Sequence, residues 1–211
     1  MVEIVVGGAI FDRSFYKGFH GGVPDIHESR MLIIKRSESE GKEWAGGRWT
    51  PLTESYERAD STISKQQTVS KNVLQPIQVI MENVLRRGFE EELRPEGLAL
   101  TDVNCIGNYK DNKTGILVYT YLGHIYNNSP WSPARNLKKG LHPYPKEIEK
   151  IDWKTLPEII EMTKKDKFAN EQFLDNIIQE IERRAARDAK SFPAKYLDEL
   201  SRLKYNIPRT L

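Results

Sequence analysis

The sequence has a single cysteine, no long apolar run and almost no excess of charge. Cys105 alone excludes an internal disulfide and any metal site built from several cysteines, and it suits a reducing compartment. No run approaches the roughly 18 apolar residues that a membrane-spanning helix needs, and the apolar start carries Glu3 without the basic region of a signal peptide. The 32 basic and 30 acidic side chains give a net charge of +2 and no strong nucleic-acid signal. We therefore expect a cytoplasmic protein without a membrane partner.

The residues that are present suit a folded domain of ordinary size. The chain has 211 residues, including 4 Trp, 9 Tyr and 7 Phe, and this length can bury a sizeable core without disulfides. Strands are predicted at 2–10, 30–36, 101–110 and 114–126. Helices are predicted at 76–93, 155–164, 169–188 and 193–204. This order indicates an α/β or α+β class.

The predicted helix 76–93 holds the most informative residues. Its apolar residues recur at helical spacing, and on that phase Glu91 and Glu92 flank the apolar face while Glu90 points to solvent. Carboxylates beside a buried face are costly unless a partner compensates them, and Mg²⁺ prefers such oxygens. The alternative is an ordinary solvated charge cluster that closes the helix.

Gly88 lies near the middle of the same apolar face. A glycine inside a helix costs about 1 kcal/mol relative to alanine. Its missing side chain forms a packing notch, a gap into which another segment can fit closely. This notch is either a pure packing feature or the place where a loop with further ligands meets the helix. Arg87 stands one turn before Glu91, at the i, i+4 spacing of a helical ion pair.

Three segments together resemble the Nudix hydrolase superfamily: GGAIF at 7–11, MLIIKR at 31–36 and LRRGFEEEL at 85–93. The segment at 147–161 is also similar to the late strand of that family and the helix after it. The resemblance implies an α/β fold, a Nudix-like α/β/α sandwich with a mixed sheet and an extra C-terminal helical segment. We expect the Nudix-like domain to cover 1–182 and the extension 183–211. The final helix either packs back on the domain or forms a homodimer contact.

The family signature has the form G-x5-E-x7-R-E-U-x-E-E-x-G-U, where U is apolar. Arg87 matches its arginine and Glu91-Glu92 match its paired glutamates. Gly97-Leu98 match the closing pair after a three-residue insertion, Arg94-Pro95-Glu96. Gly88 stands where the family has a glutamate that serves as a metal ligand or base.

The glycine loop that precedes the signature helix has two alignments here. One takes Gly46-Gly47 as the glycine pair and leaves a long gap before the helix. The other, which we prefer, takes residues 49–60 as the loop, with Thr53-Glu54 in place of the glycines and Asp60 after them. Glu54 would then supply the carboxylate that Gly88 lacks.

The resemblance implies hydrolysis of a pyrophosphate bond in a nucleoside diphosphate linked to another moiety, with Mg²⁺ or Mn²⁺ as cofactor. By that resemblance Glu54, Glu91 and Glu92 are the metal ligands. Glu54, Glu91 and Arg87 are the catalytic residues, with Arg87 orienting a carboxylate. Arg36 and Arg48 are candidates for substrate binding, because a guanidinium suits phosphate oxygens.

Two other functions compete with this hydrolase. The first is a catalytically degenerate Nudix fold that senses a nucleotide or contacts a protein, and the substitution at Gly88 and the altered loop favour it. The second is an α/β interaction domain with an acidic helix end and no relation to the family.

Overall fold

A computed structural model of the protein describes residues 3–12, 26–37, 47–57, 77–111, 114–127, 137, 140–187 and 194–207. Gly46 and Asp60 of the two loop alignments lie outside these ranges, as do residues 2, 76, 188 and 193 at the ends of predicted elements. In the described part, no helix is both long and apolar enough to cross a membrane.

The described elements alternate as the sequence predicts. The strands are β1 Ile4–Phe11, β2 Met31–Arg36, β3 Trp49–Thr50, β4 Leu52–Ser55, β5 Leu98–Lys110, β6 Leu117–Asn127 and β7 Ile148–Lys154. The helices are α1 Ile77–Leu93, α2 Leu156–Lys164, α3 Glu171–Arg187 and α4 Ala194–Tyr205. Each predicted helix and strand is confirmed to within a few residues at its ends.

The segment predicted as a loop at 49–60 contains two short strands, and this part of the prediction was wrong. β3 pairs with β2, and β4 pairs antiparallel with β1, so that Glu54 stands opposite Val6. Pro51 separates the two strands because it has no backbone N–H to donate. The polar run Thr-Glu-Ser hides β4 in the sequence, since it lacks the apolar alternation of a strand.

All seven strands form one mixed sheet in the order β3-β2-β1-β6-β5, with β4 also on β1 and β7 also on β2. β1 and β6 are parallel, and the other pairs are antiparallel. Alternate side chains of β2 enter two separate cores, Leu32 and Ile34 toward α1, Met31 and Ile33 toward α2, α3 and α4. The predicted α/β/α sandwich with a mixed sheet is confirmed.

The glycine pair at the centre of β1 lets helices approach the sheet from both sides. A Cβ added to Gly7 would lie 2.7 Å from the Phe173 ring of α3, and one added to Gly8 would lie 2.6 Å from Leu85 of α1. Both distances are too short for a real side chain, so glycine sets the spacing of both layers.

The C-terminal helix α4 packs back on the domain. Tyr196 and Leu200 are buried in the same core as the apolar face of α3, and Lys204 forms an ion pair with Glu182 at 3.1 Å. The predicted boundary after residue 182 falls inside α3, which runs to Arg187. The expected homodimer contact stays a prediction.

Candidate functional site

An acidic pocket of about 520 Å³ lies at the C-terminal end of α1. The chain segments around it are β4 with the residues after it, the last turns of α1, and the turn that precedes β7. Six glutamates and two arginines are among its lining residues, which are Glu54, Ser55, Glu57, Arg87, Glu90, Glu91, Glu92, Arg94, Tyr144 and Glu147. So many carboxylates in one concave place suit a cation or a ligand that brings cations with it.

Glu54 fills the packing notch at Gly88. A Cβ added to Gly88 would lie 2.9 Å from both the Cβ and the Oε2 of Glu54, which no real side chain tolerates. The missing side chain therefore lets β4 bring a carboxylate against the buried face of α1. The close approach predicted for Gly88 is confirmed, and Glu54 is the residue that makes it.

Arg87 links the carboxylates on one side of the pocket. It donates a hydrogen bond to the Ser55 carbonyl at 2.8 Å, which fixes its guanidinium against the end of β4. Carboxylate oxygens of Glu91, Glu54 and Glu57 lie 3.4, 3.5 and 3.6 Å from its nitrogens. The predicted i, i+4 pair with Glu91 is present, and the role of Arg87 in orienting a catalytic carboxylate stays a prediction.

Glu92 is the buried carboxylate of the pocket, with 5% of its surface exposed. Its Oε1 receives an ion pair from Arg36 at 2.9 Å. Its Oε2 is buried and has no hydrogen-bond partner among the described residues. A buried carboxylate oxygen without a donor is costly. Among the described residues its neighbour is Glu54, with which Glu92 shares a hydrogen bond when one of the two carboxyls carries a proton, and a cation would take the place of that proton.

The environment raises the pKa of both inner carboxyls. Burial raises the pKa of Glu92, the charge of Glu54 adds to that shift, and Arg36 opposes it. Burial also raises the pKa of Glu54, although Arg87 opposes it. Both shifts have the same first cause, the loss of water around a buried carboxyl, and the nearby arginines compensate it only in part.

The residues present fit a magnesium ion held by few protein ligands. No group of three or more His, Cys, Asp or Glu among the described residues is placed to hold a metal ion. Mg²⁺, however, commonly keeps several waters and takes only one or two carboxylates together with substrate phosphates. Glu92 Oε2 and the adjacent Glu54 suit that arrangement. Glu91 lines the same pocket but its side chain is 64% exposed, so its role as a ligand stays a prediction.

Neither of the arginines predicted to bind substrate is among the described residues that line the pocket. Arg36 is buried beneath it, where it pairs with Glu92 and donates to the Thr53 carbonyl at 2.5 Å. Arg48 lies before β3 and pairs with Asp166 at 2.9 Å. Arg36 thus supports a carboxylate of the site.

Sequence reasoning missed three residues of the lining, Arg94, Tyr144 and Glu147. Tyr144 and Glu147 lie just before β7, and the charge of Glu147 raises the pKa of Glu92. The similarity of 147–161 to a late family strand marks that strand, but it carries no signal for which side chains face the pocket. The insertion after α1 was the available signal for Arg94.

Comparison with solved structures gives distant likenesses. The MutT NUDIX hydrolase from Burkholderia pseudomallei is 20% identical, with a TM-score of 0.39 over 74% of this chain and 85% of that one. The MutT protein from Methanosarcina mazei Go1 is 14% identical, with a TM-score of 0.46 over 87% of this chain and 94% of that one. A C. elegans Ap4A hydrolase is 12% identical, with a TM-score of 0.45 over 90% of this chain and all of that one, 100%. No protein-family model and no curated protein matches the chain.

Proposed function

We propose that the protein is a divalent-metal-dependent hydrolase that cleaves a pyrophosphate bond in a nucleoside diphosphate linked to another moiety. The observation that carries the proposal is the buried Oε2 of Glu92, which has no hydrogen-bond partner among the described residues and lies in a pocket shared with Glu54. A cation at that point would satisfy both carboxylates. The resemblance of residues 85–93 to the Nudix signature supports the same chemistry.

Glu92 and Glu54 would hold the metal directly, and Glu91 would meet it through a bound water. When bound, Mg²⁺ or Mn²⁺ would neutralise diphosphate oxygens and lower the pKa of a bound water. Arg36 keeps Glu92 in place from below, at 2.9 Å. Arg87 does the same for Glu54 and Glu91 from the side.

Glu91 is the residue proposed to accept the proton. Its carboxylate is exposed in the pocket and contacts Arg87 only at 3.4 Å, so it can meet a water molecule. As the water oxygen bonds to phosphorus, its proton passes to Glu91, and the bond from that phosphorus to the bridging oxygen breaks. The leaving phosphate keeps the electron pair of that bond.

The contact at Gly88 favours an enzyme over a degenerate relative. A relative that had merely lost the family glutamate would have no carboxylate in the space that its side chain left. Here the Glu54 carboxylate occupies that space, so the pocket has its carboxylate from β4 in place of one from α1.

The direct test is hydrolysis of a panel of nucleoside diphosphate derivatives by purified protein, with Mg²⁺, with Mn²⁺ and with a chelator. We expect metal-dependent release of a nucleoside monophosphate and a second phosphorylated product. Glu82→Gln is the matched control, because Glu82 lies on the same helix and pairs with Arg86 outside the pocket lining. Nucleotide binding without turnover of any substrate would contradict the proposal and support the nucleotide-sensing alternative.

A further inference from the structure

Arg94 follows α1 in a backbone conformation that favours glycine. Its φ is +45°, and its N–H donates to the Glu90 carbonyl at 3.2 Å, which closes the last turn of the helix. Helices commonly end on a left-handed residue, and that residue is usually glycine. An arginine here is less favourable than glycine for the backbone alone. Its presence therefore suggests a use for the side chain.

Tyr144 holds the side chain of Arg94 at the pocket. The guanidinium carbon lies 4.5 Å from the centre of the Tyr144 ring, within the range of a cation–π contact. Tyr144 is itself fixed, because its N–H donates to the Glu92 carbonyl at 2.7 Å and its own carbonyl accepts from Ile148 at 2.9 Å. The backbone that carries the ring is thus tied to the end of α1, and both residues line the pocket.

The two arginines of the pocket differ in their partners. Arg87 has three carboxylates within 3.6 Å. Arg94 makes no ion pair with any carboxylate in the part of the chain that the structure describes, and its side chain is exposed. Stacking on a ring uses the face of a guanidinium and leaves its N–H edge able to donate. Arg94 is therefore a cation held in an acidic pocket, and its N–H groups can still donate hydrogen bonds to a ligand.

We propose that Arg94 is the substrate-anchoring residue of the pocket, and that its guanidinium, supported by Tyr144, binds a phosphate oxygen of a diphosphate substrate. This inference rests on the proposed function, since it assumes that a diphosphate enters the pocket. Six glutamates would otherwise repel such a polyanion, and a fork of N–H donors suits phosphate oxygens. Arg94 takes the role that the sequence suggested for Arg36 and Arg48.

Titration calorimetry of inorganic pyrophosphate into the full-length protein, with Mg²⁺ present, tests the anchor without turnover. We expect Arg94→Ala to bind pyrophosphate about 10- to 100-fold more weakly, the loss typical of a charge-assisted hydrogen bond. Arg94→Lys keeps the positive charge but lacks the planar pair of donors, so its affinity for pyrophosphate should lie between those of the parent and Arg94→Ala. Lys146→Ala is the matched control, because Lys146 is exposed close to Tyr144 but does not line the pocket. It should bind within about twofold of the parent.

Arg94→Gly separates binding from a merely structural role. Glycine accepts the positive φ, so this variant should melt no lower than the parent while it loses pyrophosphate affinity like the alanine variant. A glycine variant that melts lower and binds as tightly as the parent would show that Arg94 only caps the helix, and would overturn the inference.

The remaining outcomes distinguish this inference from the proposed function. Pyrophosphate binding that depends on Arg94, in a protein that hydrolyses no nucleotide, would leave the anchor standing and refute the hydrolase. Hydrolysis with an unchanged KM in Arg94→Ala would refute the anchor and leave the hydrolase standing. No pyrophosphate binding by the parent, or an equal loss in Lys146→Ala, would also refute the anchor.

Discussion

Among the residues that the structure describes, the helical layers on the two faces of the sheet each bury one glutamate, and these glutamates differ in their partners. Glu180 of α3 is 6% exposed and receives three hydrogen bonds of 2.6 Å, two from Arg183 and one from Arg184. Glu92 of α1 is 5% exposed and has one arginine, with one oxygen that has no partner in the described residues. Burial alone therefore does not separate the two carboxylates, and the oxygen of Glu92 without a partner is what makes this residue the candidate ligand.

The pKa shifts follow the same difference. Burial by itself would raise the pKa of Glu180, but the hydrogen bonds from Arg183 and Arg184 outweigh it and lower the pKa. For Glu92 burial prevails over Arg36, and the pKa rises. Glu180 is a paired structural charge, whereas Glu92 is the carboxylate at which we propose that a cation binds.

The largest expected difference between the two glutamates is in catalysis. Glu92→Gln should lower metal-dependent hydrolysis by about 100-fold or more, because an amide is a poor ligand for Mg²⁺. Glu54→Gln should lower the rate of hydrolysis as strongly as Glu91→Gln does if both residues serve the same metal. Glu180→Gln should keep the rate of the parent. Rate measurements under saturating Mg²⁺ decide this, and an equal loss in Glu92→Gln and Glu180→Gln would remove the distinction.

The next largest effect is expected from substitutions at Gly88, which should lower the stability of the protein. Gly88→Ala should cost about 1–3 kcal/mol of unfolding free energy, because the new Cβ would meet Glu54 at 2.9 Å. Gly88→Glu should cost more, since it also buries a carboxylate. Urea denaturation measures both. A glutamate variant as stable as the parent, and faster in hydrolysis, would mean that Gly88 is a decayed catalytic position.

The next effect is the contribution of Glu180 and its two arginines to the stability of the fold without metal. Glu180→Gln should lose about 1–3 kcal/mol at neutral pH, because two arginines lose their charged acceptor. The lowered pKa of Glu180 stabilises the fold above the ordinary glutamate pKa, and that contribution disappears as the pH falls through the folded value. The difference in stability between the parent and Glu180→Gln should therefore become smaller as the pH is lowered. Thermal unfolding measured over a series of pH values tests this. A gap that widens in acid would contradict this account of Glu180.

The smallest effect is expected at Glu90. Its side chain is exposed, although it lines the same pocket as Glu91. Glu90→Gln should change hydrolysis by no more than about twofold, as for most exposed charges. A loss equal to that of Glu92→Gln would show that the pocket acts through its total charge and not through particular ligands.

The sequence predicted the parts of this site that depend on local periodicity. Helical phase alone placed Gly88 on the buried face of α1 and Arg87 beside Glu91. It could not separate Glu91 from Glu92, because both flank the apolar face at similar angles. Arg36, at the end of β2, pairs with Glu92 and thereby distinguishes it from Glu91. No local sequence pattern connects two residues so distant in the chain.

The fold class was likewise predictable from the alternation of elements, whereas the pairing of β4 was not. β4 is only four residues long and three of them are polar, so nothing in its sequence marks it as a strand. It is a strand because β1 offers its backbone groups along Val5–Gly8. That pairing brings Glu54 to Gly88.

The most direct test of the acidic pocket is a crystal of the protein soaked with Mn²⁺, examined by anomalous scattering. We predict a peak within coordination distance of Glu92 Oε2 and of a Glu54 carboxylate oxygen, and no such peak in crystals of Glu92→Gln. A parent crystal with no metal at Glu92, or with metal bound only away from Glu54 and Glu92, would contradict the account.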